Sequence, residues 1–278
     1  MDEKIKGGMK GFFERLGLKE EPMGMFFTEH KPEEGFSPKP GKMPTREMEV
    51  KGEINWGALF EDFSCVMGNI WRARRKGTIA YFDRERFGCL GGAFYLGFLK
   101  PQLEFITYYV STGIPNQVQG EHYLESPEVT RRFFETIDPR PAPARYCVFK
   151  SLSHFTAQNE QPELIIFFAR GEVLCGLNQL ATFVTNDFEA VSSPFGAGCS
   201  NMVSWPLRYL AAGKLKAVLG GWDPSDRKFL KPDELTFTVP YEMFDRMVRR
   251  WPESFLKTST WEIVRKKIDR SRRIWGEE

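Results

Sequence analysis

Histidine is scarce in this sequence. His30, His122 and His154 are the only three among 278 residues, and each stands alone. The paired-histidine helix of a zinc hydrolase is therefore missing, and no nucleophile-elbow turn takes its place. Long apolar runs are also lacking. Nothing approaches the roughly 18 uninterrupted apolar residues that a membrane-crossing helix needs, and residues 1–20 are charged from Asp2 onward, without a signal-peptide core. The expectation is a cytoplasmic chain with no membrane partner. Charge of one sign is lacking too. With 39 basic and 37 acidic residues the chain has a net charge of +2, which argues against a nucleic-acid partner. Five cysteines, an odd number, do not make a disulfide framework. In a reducing compartment they are free thiols, metal ligands or catalytic groups.

Aromatic residues are abundant: 25 Phe, 7 Trp and 8 Tyr. They serve either a bulky core or an apolar pocket. The densest basic stretch runs from Arg265 to Arg273 in the last predicted helix. There Trp261, Val264 and Ile268 recur at helical spacing and leave the cations on a solvated face.

The periodicity predicts an α/β or α+β fold. A short helix carries Met9, Phe12, Phe13 and Leu16, and a strand covers 23–27. A loop rich in Pro, Gly, Lys and Glu spans 28–53. A long helix over 56–75 follows, capped by Asn55, with Leu59, Phe60, Phe63, Val66, Met67 and Ile70 as its stripe. Gly77 ends it, and a strand at 78–82 leads to a helix over 90–98. Ser126-Pro127-Glu128 opens another helix. Pro139, Pro141 and Pro143 make a stiff connector between a first half, 1–138, and a second, 139–278, within one compact unit. In the second half, strands are expected at 145–152, 164–169, 189–192, 216–219 and 235–239. Helices are expected at 172–185, from Cys199 to about 213, at 241–250 and at 260–273.

Cys65 and Cys89 are 24 residues apart, as are Cys175 and Cys199. Each first cysteine falls in a predicted helix after a strand with a Phe-Phe pair, Phe26-Phe27 or Phe167-Phe168. Each second one follows a glycine, Gly88 or Gly198, at a predicted helix start. Two similar strand-helix-strand-helix halves related by a pseudo-two-fold, with C-terminal helices added, would explain the pattern. A helix start offers free amides and positive potential, which favour the thiolate. Cys89 and Cys199, joined by Cys65 and Cys175, are the candidate ligands of a metal or an iron–sulfur cluster. Small, buried packing residues are the alternative, chiefly for Cys65 and Cys175 inside helices, and Cys147 in a strand reads as core. Gly88, Gly91, Gly92 and Gly198 could present amides to a phosphate or carboxylate. Arg227, in the turn Gly220–Arg227, could pair with a ligand's carboxylate or form an ordinary ion pair.

With these residues in view, the chain resembles the DUF169 family from about residue 12 to 250. The likeness rests on the strand after Glu21-Pro22, Cys65, and Gly88-Cys89-Leu90-Gly91-Gly92-Ala93 leading to Leu96-Gly97. It continues in Gly198-Cys199, Asp226-Arg227, Asp233-Glu234-Leu235 and Val239-Pro240. The resemblance implies a cysteine-containing prokaryotic protein and no particular activity. Similar chains often carry another cysteine just before the Arg227 region, where this one has Gly220-Gly221-Trp222.

Two functions follow as expectations. One is a cysteine-ligated metal or iron–sulfur site for redox chemistry or binding of a small molecule. The other is a non-catalytic binding protein holding an apolar or anionic small ligand in an aromatic cleft between the halves. A thiol-nucleophile enzyme lacks a supporting histidine. Homo-oligomerisation is left open.

Overall fold

The computed structural model describes residues 3–61, 64–100, 103–155 and 160–276. Its strands are β1 (Met23–Thr28), β2 (Ala80–Phe82), the small hairpin β3 (Gly113–Ile114) and β4 (Val118–Gln119), then β5 (Tyr146–Ser151), β6 (Leu164–Ala169), β7 (Val191–Ser192), β8 (Ala217–Gly220) and β9 (Leu235–Pro240). Apart from the hairpin they form one mixed sheet of seven strands, ordered β2-β5-β1-β6-β9-β8-β7. Neighbours run antiparallel except β7 and β8. The central β6, Leu-Ile-Ile-Phe-Phe-Ala, is buried along its whole length, which suits β-branched and aromatic residues in a strand covered on both sides.

The helices are α1 (Glu3–Leu16), α2 (Arg46–Val50), α3 (Trp56–Glu61), α4 (Val66–Lys76), α5 (Leu90–Tyr95), α6 (Phe105–Val110), α7 (Pro127–Ile137), α8 (Gly171–Thr185), α9 (Trp205–Ala211), α10 (Tyr241–Arg250) and α11 (Ser259–Trp275). Alternate strand residues point to opposite faces. Phe26, Val148, Ile165, Phe167 and Val239 pack under α1, α8 and α10. Met25, Phe149, Ile166, Phe168 and Val218 pack under α4, the α5 region and α9.

Several expected boundaries are present. Asn55 Oδ1 accepts from the Ala58 amide, Ser126 caps α7 ahead of Pro127, and Gly77 ends α4 in the left-handed region. Other expectations need correction. The 28–53 segment is not all loop: it contains α2, and Phe36 bridges to Ala80 beside β2. The helix expected over 56–75 is two helices, α3 and α4, and Cys65 is the residue before α4 rather than inside it. Phe63 of its expected stripe lies outside the described residues, as does the side chain of Phe60.

Both halves feed the same sheet, with β1 of the first half lying between β5 and β6 of the second. A two-fold relating the antiparallel neighbours β1 and β6 would stand perpendicular to the sheet and keep equivalent helices on one face. The helices after those strands, α4 and α8, cover opposite faces. The expected equivalence of Cys65 and Cys175 is therefore not a feature of this mixed α/β architecture.

Candidate functional site

Three chain segments meet on the α4 face, each bringing a cysteine to the start of a helical element. Cys65 precedes α4, Cys89 precedes α5, and Cys199 precedes a π-helical turn, Ser200–Ser204, that continues into α9. A π-turn is an uncommon local solution that recurs at functional sites. The segments are tied to one another by backbone. The Ser64 amide donates to the Gly88 carbonyl at 3.0 Å, which holds the turn into α4. The buried Asn69 side chain donates to Ser64 Oγ at 2.8 Å and to the Cys65 carbonyl at 2.9 Å, pinning that turn from inside. Gly88 has φ +84°, and a Cβ there would sit 2.3 Å from the Ser64 carbonyl oxygen, so only glycine fits both the turn and the contact. On the third side, Ser204 Oγ donates to the Tyr95 carbonyl at 2.7 Å, joining the π-turn to α5.

Asp226 closes the cluster. It sits in the short 3₁₀ segment Pro224–Phe229 between β8 and β9 and is 2% exposed. One carboxylate oxygen accepts the Gly198 amide at 2.8 Å, and the other lies 3.5 Å from Cys65 Sγ, which donates to it. A Cβ on Gly198 would stand 2.2 Å from that first oxygen, so the glycine is what lets the carboxylate approach. The Gly92 amide donates to Cys89 Sγ at 3.2 Å.

Burial governs the acid–base state of these groups. It pushes Cys65 up to about 12, helped by the charges of Asp226 and Cys89. Burial also raises Cys89, against the lowering effect of the Gly92 amide, with the Asp226 charge adding to the rise. Cys199 is held well above the usual thiol range by burial first, then by Cys89, Asp226 and Cys65. Asp226 itself rises to about 6 through burial and the nearby Asp223 charge, with the Gly198 amide opposing. Glu121 rises to about 7 through burial and Asp223, and its hydrogen bond with Tyr109 pulls the other way. The protein therefore holds protonated thiols beside a carboxyl group shifted up to about 6. Among the described residues, no three His, Cys, Asp or Glu side chains are grouped so as to hold a single metal ion.

A family model, DUF169, described as uncharacterised ArCR, matches residues 12–250. The chain belongs to the DUF169 family. No curated protein and no solved structure matches it. The match takes in the three clustered cysteines and Asp226 of this DUF169 chain and stops before α11.

The DUF169 chain sorts the sequence-based candidates clearly. Cys89, Cys199 and Cys65 come together. Cys175 does not: it lies on α8, on the other side of the sheet, exposed, with Sγ donating to the Glu172 carbonyl at 3.2 Å. Cys147 is core, as expected. The glycine amides expected to receive a ligand's anion are already used within the protein, Gly198 by the Asp226 carboxylate and Gly92 by the Cys89 sulfur. Gly91 adjoins this sulfur, and Gly88 acts through its turn. Arg227 forms no ion pair among the described residues. Its guanidinium donates to the carbonyls of Gly221, Glu234, Lys231 and Pro232, bracing the loop that carries Asp226. Sequence reasoning overlooked Asn69, and it did not link Asp226 to the thiols. The aspartate beside Arg227 was an available signal; Asn69 had none, because the helix start at Cys65 is set by tertiary contacts.

Proposed function

We propose that Cys65, Cys89 and Cys199, with Asp226 as fourth donor, hold a thiolate-bound metal centre, an iron–sulfur cluster being the form the donor set suits best. The observation carrying this reading is the convergence of three thiols from distant segments on one buried carboxylate. Isolated structural cysteines do not require such an arrangement. Three soft thiolates with one oxygen donor suit iron or another thiophilic metal. The amide donated to Cys89 Sγ is the kind of outer bond that tunes such centres. Bound there, the centre would supply one-electron chemistry or an open site for a small molecule.

The protein's own groups have defined parts in this reading. Asp226 accepts from Cys65, a bond that would be given up when both groups bind the metal, with the thiol's proton released to solvent. The buried thiols resist ionisation alone, so uptake releases protons and strengthens as pH rises. Gly198 and Arg227 keep Asp226 in position from both sides. The acidic surroundings, Asp223, Asp226 and Glu121, disfavour the alternative of an anionic ligand.

The test is anaerobic purification and reconstitution with iron and sulfide, followed by metal and sulfide analysis and electronic absorption. Parent and Cys175→Ser should retain the centre. Cys65→Ser, Cys89→Ser and Cys199→Ser should each lose most of it. A folded parent that takes up no metal under these conditions, or equal loss in the Cys175 variant, would sink the reading.

A further inference from the structure

The helix α11 presents an outer face that the body of the protein does not use. Its inner face is well anchored. Trp261 is buried, and its Nε1–H donates to the Arg15 carbonyl at 3.1 Å. Arg265 donates to the Glu14 and Arg15 carbonyls, and Arg272 pairs with Glu172. On a 3.6-residue period, Ile263 and Ile274 fall in one row and Val264 and Trp275 in the next, a broad adjoining stripe that Lys267 interrupts. In that order the four apolar side chains are 52%, 75%, 37% and 78% exposed. Large apolar side chains left in water along one helical stripe call for a partner. Lys267 within this stripe and Lys266, Arg270 and Arg273 beside it are all exposed and without an ion pair among the described residues. The solvated face expected from the sequence thus carries exposed apolar side chains among its cations.

We propose that α11 docks on the surface of an anionic lipid bilayer, lying in the interface with Ile274 and Trp275 inserted and the four cations against lipid headgroups. Charge complementarity selects this occupant. A second copy paired along the same stripe would bring four cations against four. A nucleic acid would take the cations and leave the isoleucines and Trp275 in water. A bilayer surface of negative potential satisfies both sets together, with Trp at the headgroup boundary and basic residues beside it. The helix is 17 residues long and amphipathic, so it lies on a membrane and does not cross it. This property belongs to a segment beyond the family-matched residues, and it is independent of the thiol cluster.

The experiment is flotation of the full chain with vesicles of pure phosphatidylcholine and with vesicles of equal parts phosphatidylcholine and phosphatidylglycerol. Binding to the anionic vesicles should exceed binding to the neutral ones by more than about tenfold at low salt. Ile274→Asp with Trp275→Asp should abolish binding to both, and Lys266→Glu with Lys267→Glu and Arg270→Glu should abolish the anionic preference. All variants should keep the parent circular dichroism spectrum and melting temperature, since the substituted side chains are exposed. Several outcomes would overturn the proposal: no flotation of the parent, equal flotation on both vesicle types, or unchanged flotation of the apolar-stripe variant. Sedimentation showing a dimer that this variant dissolves would also overturn it, by assigning the stripe to a second copy. RNA retention lost only in the charge variant, without flotation, would do so by assigning the cations to nucleic acid.

Discussion

The two faces of the central sheet use alternate residues of the same strands, yet they are finished differently. Under α1, α8 and α10, Phe12, Phe13, Phe167 and Phe244 meet edge-on or tilted, with ring centroids 5.6–6.5 Å apart. Every one of these contacts is apolar. Under α4 and α5 the layer gives up part of that packing to three thiols, a buried asparagine and a buried carboxyl group. An apolar layer needs only the right alternation and volume. A polar cluster needs donors and acceptors paired across segments. The ties among Ser64, Gly88, Asn69, Gly198 and Asp226 supply this around the thiols, while Asn201 Oδ1 in the adjoining π-turn is left without a partner among the described residues. The comparison separates residues that hold the protein together from residues that equip it.

The largest expected effect lies on the apolar face. Phe244 is fully buried, so Phe244→Ala should cost about 3–5 kcal/mol in urea unfolding while leaving metal per folded molecule unchanged. Loss of metal at unchanged stability would break the division between faces. On the thiol face, Gly88→Ala forces a Cβ into the Ser64 carbonyl at a left-handed φ. A loss of about 1–3 kcal/mol and a lowered capacity for iron are expected, both measurable on one preparation.

Asp226→Asn sharpens the comparison through pH. The folded-state value, about 6, lies above the ordinary carboxyl range. The stability contributed by its protonated form is therefore complete below that range and is lost as pH climbs through about 6. In the metal-free protein the variant should equal the parent near pH 4 and exceed it near pH 8 by roughly 1–3 kcal/mol. Unfolding curves at the two pH values decide this, and a less stable variant at the higher pH would contradict the raised value. The smallest effect belongs to Cys175→Ser. That side chain is exposed on α8, so stability should stay within about 0.5 kcal/mol, with iron content unaltered.

Much of this protein is written in local pattern. The caps at Asn55 and Ser126, the stop at Gly77 and the strands β5, β6 and β9 follow from residue type and period. The helix starts at Cys89 and Cys199 also follow, because a glycine before a cysteine marks the turn. The break ahead of α4 does not. The stripe through Val66, Met67 and Ile70 reads as a continuation of the preceding helix, whereas the turn into α4 is held by the Ser64–Gly88 contact and by Asn69.

By itself the sequence determined which residues could carry soft-ligand chemistry, most strands of the large sheet and most of the longer helices, and that 12–250 belongs to DUF169. Tertiary structure alone decided which cysteines meet. Equal spacing paired Cys65–Cys89 with Cys175–Cys199, but spacing along a chain does not say which face of a sheet a connecting helix will cover. The carboxylate partner of Cys65 comes from 161 residues away. Such a partnership forms only when the sheet is complete and burial makes an unpaired carboxyl group costly.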